Sequence, residues 1–97
     1  MKGYWIVLGS EIDDQEEQSE YVKLWAPIAE RYRAKLKSID FGTVLVECKS
    51  TTRIVAVEFP SYEQAKACYA DPAYVEAKTH ALKASTREFL ILEGDIA

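Results

Sequence analysis

Residues Arg53 to Tyr69 read RIVAVEFPSYEQAKACY, and the change of backbone period inside this stretch decides the fold. Apart from Arg53 and Glu58, the first seven residues are β-branched, aromatic or otherwise apolar, a composition suited to a pleated strand. Pro60 lacks the N–H that a ladder requires and ends the run. Ser61, with Gln64 three residues later, forms an S-x-x-Q capping box that starts a helix. A strand therefore feeds a helix through one Pro-Ser step.

On the N-terminal side, Lys49 to Thr52 reads as a hairpin turn, with Arg53 to Phe59 returning antiparallel to Thr43–Cys48. Ala34 to Ile39 also has strand character. With Asp40-Phe41-Gly42 as a turn, the two segments are one long bent strand with a bulge or two short strands. Gly3 to Leu8, GYWIVL, is too short for a helix and forms the first strand. Between these, Tyr21, Leu24, Trp25, Ile28 and Tyr32 recur at helical spacing and predict a helix from about residue 16 to about residue 32. Glu16, Glu17 and Glu20 lie near its positive end and Arg31 and Arg33 near its negative end. Pro27 predicts a kink, or a start nearer Trp25.

On the C-terminal side, the helix capped by Ser61 runs to about Ala70. Asp71-Pro72 then restarts a helix, with Asp as N-cap and Pro at the first helical position. Tyr74, Ala77, Ala81 and Leu82 are its inward face. Arg87 to Glu93, REFLILE, is the last strand and Gly94 ends it. The order β-α-β-β-α-β is the α+β, ferredoxin-like arrangement: one domain over residues 1–97, with a four-stranded antiparallel sheet and helices on one face.

Both faces of three strands are apolar. Trp5 and Val7 oppose Ile6 and Leu8, Ile54 and Ala56 oppose Val55 and Val57, and Phe89 and Ile91 oppose Leu90 and Leu92. Helices cover one face only, and large apolar patches are rare on soluble monomers. A second copy packed sheet to sheet as a homodimer is the economical cover.

Ninety-seven residues can bury roughly 65% of their unfolded surface, enough for a thin core. A net charge of −4 leaves no basic excess for nucleic acid or an anionic membrane surface. Arg31, Arg33, Lys35 and Lys37 follow the acidic stretch Glu11 to Glu20 and read as a solvated surface. Cys48 and Cys68 are isolated and His80 is the lone histidine, so neither a zinc site nor another cofactor is expected. No leader pattern opens the chain, and no apolar run approaches the roughly 18 residues of a membrane span. The expectation is a cytoplasmic protein with reduced thiols.

No motif for a nucleophile elbow, zinc protease, dinucleotide site or P-loop is present. The candidates are single residues. Glu58 is the charge within an apolar strand; buried, it would have a raised pKa and serve as a general base, and otherwise it pairs with a surface cation. Arg53, on the face of Val55 and Val57, can take a carboxylate or phosphate bidentately, or can be an exposed strand start. His80 titrates in the physiological range and sits on the flank of the inward face, as an acid–base group or a partly solvated one. Trp5 and Tyr69 belong to an aromatic-rich set that makes either a ligand wall or core packing. The thiols read as small apolar groups, and the acidic residues Asp13 to Glu17 lack the spacing of a calcium loop.

Lys2-Gly3-Tyr4-Trp5-Ile6, Glu58-Phe59-Pro60-Ser61 with Ala65 and Tyr69, Pro72-x-Tyr74 and Ile91-Leu92-Glu93-Gly94 together resemble the small bacterial family called domain of unknown function 1330. The resemblance spans nearly the whole chain. It implies a dimeric α/β barrel, a superfamily holding cofactor-free monooxygenases, haem-degrading enzymes, isomerases and binding proteins. Many relatives carry an Arg-Gly-Gly turn where this chain has Ile39-Asp40-Phe41-Gly42, and an arginine near Ala81, beside which this chain has His80. Two functions remain: a pocket between sheet and helices that binds or transforms a small molecule, or a dimeric interaction module without chemistry. A cavity of roughly 300 Å³ with converging polar groups separates them.

Overall fold

The computed structural model describes residues 1–37 and 46–94. The elements in chain order are β1 (Gly3–Gly9), α1 (Gln15–Arg31), β2 (Lys35–Lys37), β3 (Arg53–Phe59), α2 (Tyr62–Ala70), α3 (Pro72–Ala84) and β4 (Arg87–Glu93). The sheet is antiparallel throughout, in the order β2-β3-β1-β4. Trp5 pairs with Val57 on one side and Ile91 on the other, so Trp5, Val7, Val55, Val57, Phe59, Phe89 and Ile91 share one face. The helices pack on that face.

Trp5 centres the core. Its ring lies 4.8 Å from Phe59, 4.9 Å from Tyr74, 5.0 Å from Phe89 and 5.3 Å from Trp25, centroid to centroid. The indole N–H is buried with the ring and donates to the Ala65 carbonyl of α2 at 2.9 Å. Gly3 permits the approach of α2, because a Cβ there would stand 2.6 Å from Tyr62 Cα and 2.7 Å from the Ser61 carbonyl.

Capping sets the helix ends. Asp14 accepts from the N–H groups of Glu16 and Glu17, and Ser61 Oγ accepts from Gln64 N–H. Asp71 caps α3 through Ala73 N–H at 2.8 Å, and its other carboxylate oxygen accepts from the Tyr32 hydroxyl at 2.6 Å and from Arg31 at 3.2 Å. One carboxylate thus ties the end of α1 to the α2–α3 junction. The Tyr32 hydrogen bond, the Ala73 N–H and Arg31 hold it below the usual carboxylate range. α1 continues through Pro27, which sits on the exposed side where water serves the carbonyl left without an N–H donor.

Two expectations are corrected. Leu82 is 57% exposed, and the buried face of α3 is Tyr74, Ala77, Ala81 and Ala84. Small alanines let α3 lie close to its neighbours, and Leu82 falls a step around the helix from that stripe. The second correction concerns the described part of Thr43–Cys48, residues 46–48. Residues 46–48 form no ladder, Val46 is 79% exposed, and β3 pairs instead with β2 through Lys35↔Glu58, Leu36↔Val57 and Lys37↔Ala56. Strand propensity depends on a face to bury, which Val46 lacks. Lys49–Thr52 also lies outside any ladder, and Thr52 N–H bonds the Gly9 carbonyl at 2.8 Å. Residues 38–45, with the Asp40-Phe41-Gly42 turn, lie outside the described residues.

The opposite sheet face carries Tyr4, Ile6, Leu8, Ile54, Ala56, Leu90 and Leu92, with Leu90 47% and Leu92 39% exposed.

α1 ends in a Schellman motif: Ala34 N–H bonds the Ala29 carbonyl and Arg33 N–H the Glu30 carbonyl. Arg33 holds φ 54°, the left-handed region that glycine adopts without penalty. Arg33→Gly is expected to stabilise the protein by about 0.5–1 kcal/mol, the left-handed cost of a side chain less the extra unfolded-state entropy of glycine. Urea unfolding with an unchanged m-value measures it.

Candidate functional site

Arg53 begins β3, Arg87 begins β4, and both pair across Gly9 at the end of β1. The row Arg53–Gly9–Arg87 thus sets two guanidinium groups on the helix-facing side with no side chain between them. A Cβ at Gly9 would stand 2.5 Å from Arg53 Nη2, so glycine is what lets that guanidinium lie across β1. Arg53 Nε donates to the Ser10 carbonyl at 2.8 Å and Nη2 to Ser85 Oγ at 3.1 Å. Arg87 Nη1 donates to the Tyr74 hydroxyl at 3.4 Å, and the guanidinium lies 5.6 Å from the Tyr21 ring centroid and 5.2 Å from that of Phe89. Its buried Nε has no hydrogen-bond partner.

Arg53 and Arg87 line a partly open cavity of ≈ 210 Å³ between the sheet, α1 and α3. Trp5, Val55, Val57, Phe89, Tyr21 and Trp25 make its apolar wall, and Gln18, Arg53, Ser85 and Arg87 supply polar groups. Behind the wall, the Tyr74 hydroxyl is 3.0 Å from that of Tyr21. Burial pushes the Tyr74 hydroxyl pKa well above its ordinary value, so it stays protonated.

Of the residues singled out from sequence, Trp5 and Arg53 line this cavity. Tyr69 packs beside it against Phe89 and Tyr74, with Lys78 over its ring, and is not part of the lining. His80 lies outside, its Nδ1 2.5 Å from Glu17 Oε2. Glu58 lies on the opposite sheet face, with Lys2 Nζ at 2.9 Å and Lys37 Nζ at 3.3 Å. The Lys2 ammonium, helped by Lys37 and opposed by burial, holds its carboxyl below the usual carboxylate range, the reverse of what burial alone would give. Cys68 is buried and its thiol is pushed up to about 12, chiefly by burial, which makes it unreactive. Among the described residues no cluster of three His, Cys, Asp or Glu side chains forms a metal site, and no helix is long and apolar enough to cross a membrane.

Sequence reasoning missed Arg87, Tyr21, Gln18 and Ser85. A signal for Arg87 was present: two strands open with arginine and flank a strand that closes with glycine.

The profile of the family described as Domain of unknown function (DUF1330) matches residues 2–95. The chain belongs to that family. No curated protein matches it. Among solved structures, a Rhodopseudomonas palustris protein of unknown function is 16% identical with a TM-score of 0.67, covering 99% of this chain and 84% of that one. SnoaB, a cofactor-independent oxygenase from Streptomyces nogalater, is 13% identical at TM-score 0.66, covering 99% and 95%. A dimeric protein of unknown function with a ferredoxin-like fold from Bacteroides fragilis is 14% identical at TM-score 0.55, covering 96% of each. Likeness at these identities establishes the fold.

Glu58 yields a pH prediction. Its folded pKa lies below the ordinary 4.5, so its contribution to stability is complete above that value and is lost as pH falls through the lower folded value. Wild type is expected to melt above Glu58→Gln at pH 7, with the gap closing below about pH 4 as the carboxyl protonates. Melting curves of both proteins from pH 7 to pH 3 measure it.

Proposed function

We propose, with this family membership as the premise, that the protein is a homodimer whose protomers each bind a small organic molecule in the cavity between sheet and helices. The observation that carries the reading is the cavity itself, with an aromatic and aliphatic wall and polar groups brought together from β3, β4, α1 and the α3–β4 junction. At ≈ 210 Å³ it falls short of the roughly 300 Å³ set above as the mark of a pocket, so the converging polar groups support the reading and the volume limits the ligand to one smaller than a drug-sized molecule. SnoaB, similar in fold, is a cofactor-independent oxygenase. For this chain the reading is of binding. Glu58 is held by two lysines on the far face and His80 by Glu17 outside the cavity, so neither receives a catalytic role.

Pairing is read from the far sheet face. Leu90 and Leu92 stay substantially exposed there. A second copy laid on this face would bury the leucines. The Bacteroides fragilis protein of the same fold is dimeric. The unpaired state of Cys48 and Cys68 fits a cytoplasmic setting.

Trp5 and Trp25 line the cavity, so a bound molecule is expected to change tryptophan fluorescence and to raise the melting temperature with concentration. Val55→Phe, which fills the cavity, is expected to remove both responses while far-UV circular dichroism stays native. A screen of small apolar and aromatic compounds without any saturable response returns the reading to a dimeric module without a ligand. Sedimentation at micromolar concentration is expected to give a dimer, and Leu90→Asp a monomer; a wild-type monomer rejects the pairing.

A further inference from the structure

The two cationic groups of the cavity have no counter-charge among the described residues. Among the described residues, the ion pairs of Glu17, Glu20, Glu58 and Asp71 go to His80, Lys23, Lys2 with Lys37, and Arg31, and none reaches Arg53 or Arg87. A guanidinium taken from water without an anion is costly, and a buried N–H with no acceptor adds to that cost. Arg53 offsets its share through Ser10 and Ser85. Arg87 does so only in part: Nη1 donates to the Tyr74 hydroxyl at 3.4 Å, while the buried Nε has no partner.

The buried Nε is out of a ligand's reach, so Arg87, as a lining residue, meets an anion through its Nη N–H groups. Tyr74 occupies Nη1, which leaves Nη2, while the Tyr21 and Phe89 rings hold the group by cation–π contact. Because Tyr74 accepts from Arg87, its own proton is free for Tyr21, 3.0 Å away. Either hydroxyl of that pair can donate; with Tyr74 as donor, Tyr21, which lines the cavity, has its O–H for an acceptor on the ligand.

We propose that the ligand is a small organic monocarboxylate with an aromatic or branched apolar body, its carboxylate held by the Arg87 guanidinium, assisted by the Tyr21 hydroxyl and the Arg53 charge, and its body against Trp5, Val55 and Trp25. The inference rests on the binding reading above and adds the chemical class. The small volume selects a single ring or a short branched chain.

The test compares benzoate with benzamide, nearly the same shape without the charge, by tryptophan fluorescence titration of the full chain. Benzoate is expected to bind wild type about 10- to 100-fold more tightly than benzamide, the range for a charge-assisted hydrogen bond. Arg87→Met keeps much of the stem and is expected to remove that preference while leaving benzamide binding in place; Tyr21→Phe is expected to weaken benzoate several-fold. Arg87→Lys, with the charge but not the planar guanidinium, is expected to fall between and serves if the methionine variant does not fold. Equal affinity for benzoate and benzamide in wild type overturns the carboxylate assignment and leaves the binding reading standing. Undiminished preference in Arg87→Met overturns the role of Arg87, and no saturable response to either compound or to any neutral probe overturns both readings.

Discussion

The packing of Trp5 is the contact on which the rest of the structure depends. It sits on the central strand β1, touches aromatic rings from α1, β3, α3 and β4, and joins α2 through its hydrogen bond to Ala65. Dispersion and area burial at one side chain thereby couple five elements. Truncation of a tryptophan so placed typically costs about 3–5 kcal/mol, against a total stability of roughly 5–15 kcal/mol for a domain. The chain has few comparable anchors, since much of the remaining core is alanine, valine and Cys68.

The same residue separates core from cavity. Toward Phe59 and Tyr74 the aromatic cluster is close-packed; toward Arg53 and Arg87 it is not, and an open volume remains. Packing the gap with aliphatic groups would have added stability, and the protein instead places two guanidinium groups at its edge. Charges without counter-ions lower stability unless something else satisfies them. The conflict between local chemistry and the demands of folding is confined to this end of the sheet, where β1 gives up a side chain at Gly9.

Much of the fold was legible because it rests on local rules. Ser61 and Gln64, Asp71 with Pro72, and the stripe from Tyr21 to Tyr32 are read from spacing alone, and each element stands where that spacing puts it. The failures are non-local. Val46 has strand propensity and no face to bury, and Leu82 has hydrophobicity but the wrong angle on α3. The site was half legible: Trp5 and Arg53 stood out by residue type, whereas Arg87 was one of several charges and acquired meaning only through its row with Gly9 and Arg53. Glu58 stood out for the same reason as Arg53, a charge in an apolar strand, yet alternation sends it to the other face, to Lys2 and Lys37.

The stretch Arg53 to Tyr69, with the strands and caps around it, by itself determined the order of elements, the two-sided apolar sheet and the family. Periodicity and capping act over a few residues, so a linear reading captures them. Which polar groups meet was decided only in three dimensions. The register that aligns Arg53, Gly9 and Arg87, and the crossing of α1 over α3 that brings Tyr21 to Tyr74, depend on pairings between residues more than 30 positions apart, and on side-chain volumes that no spacing rule encodes.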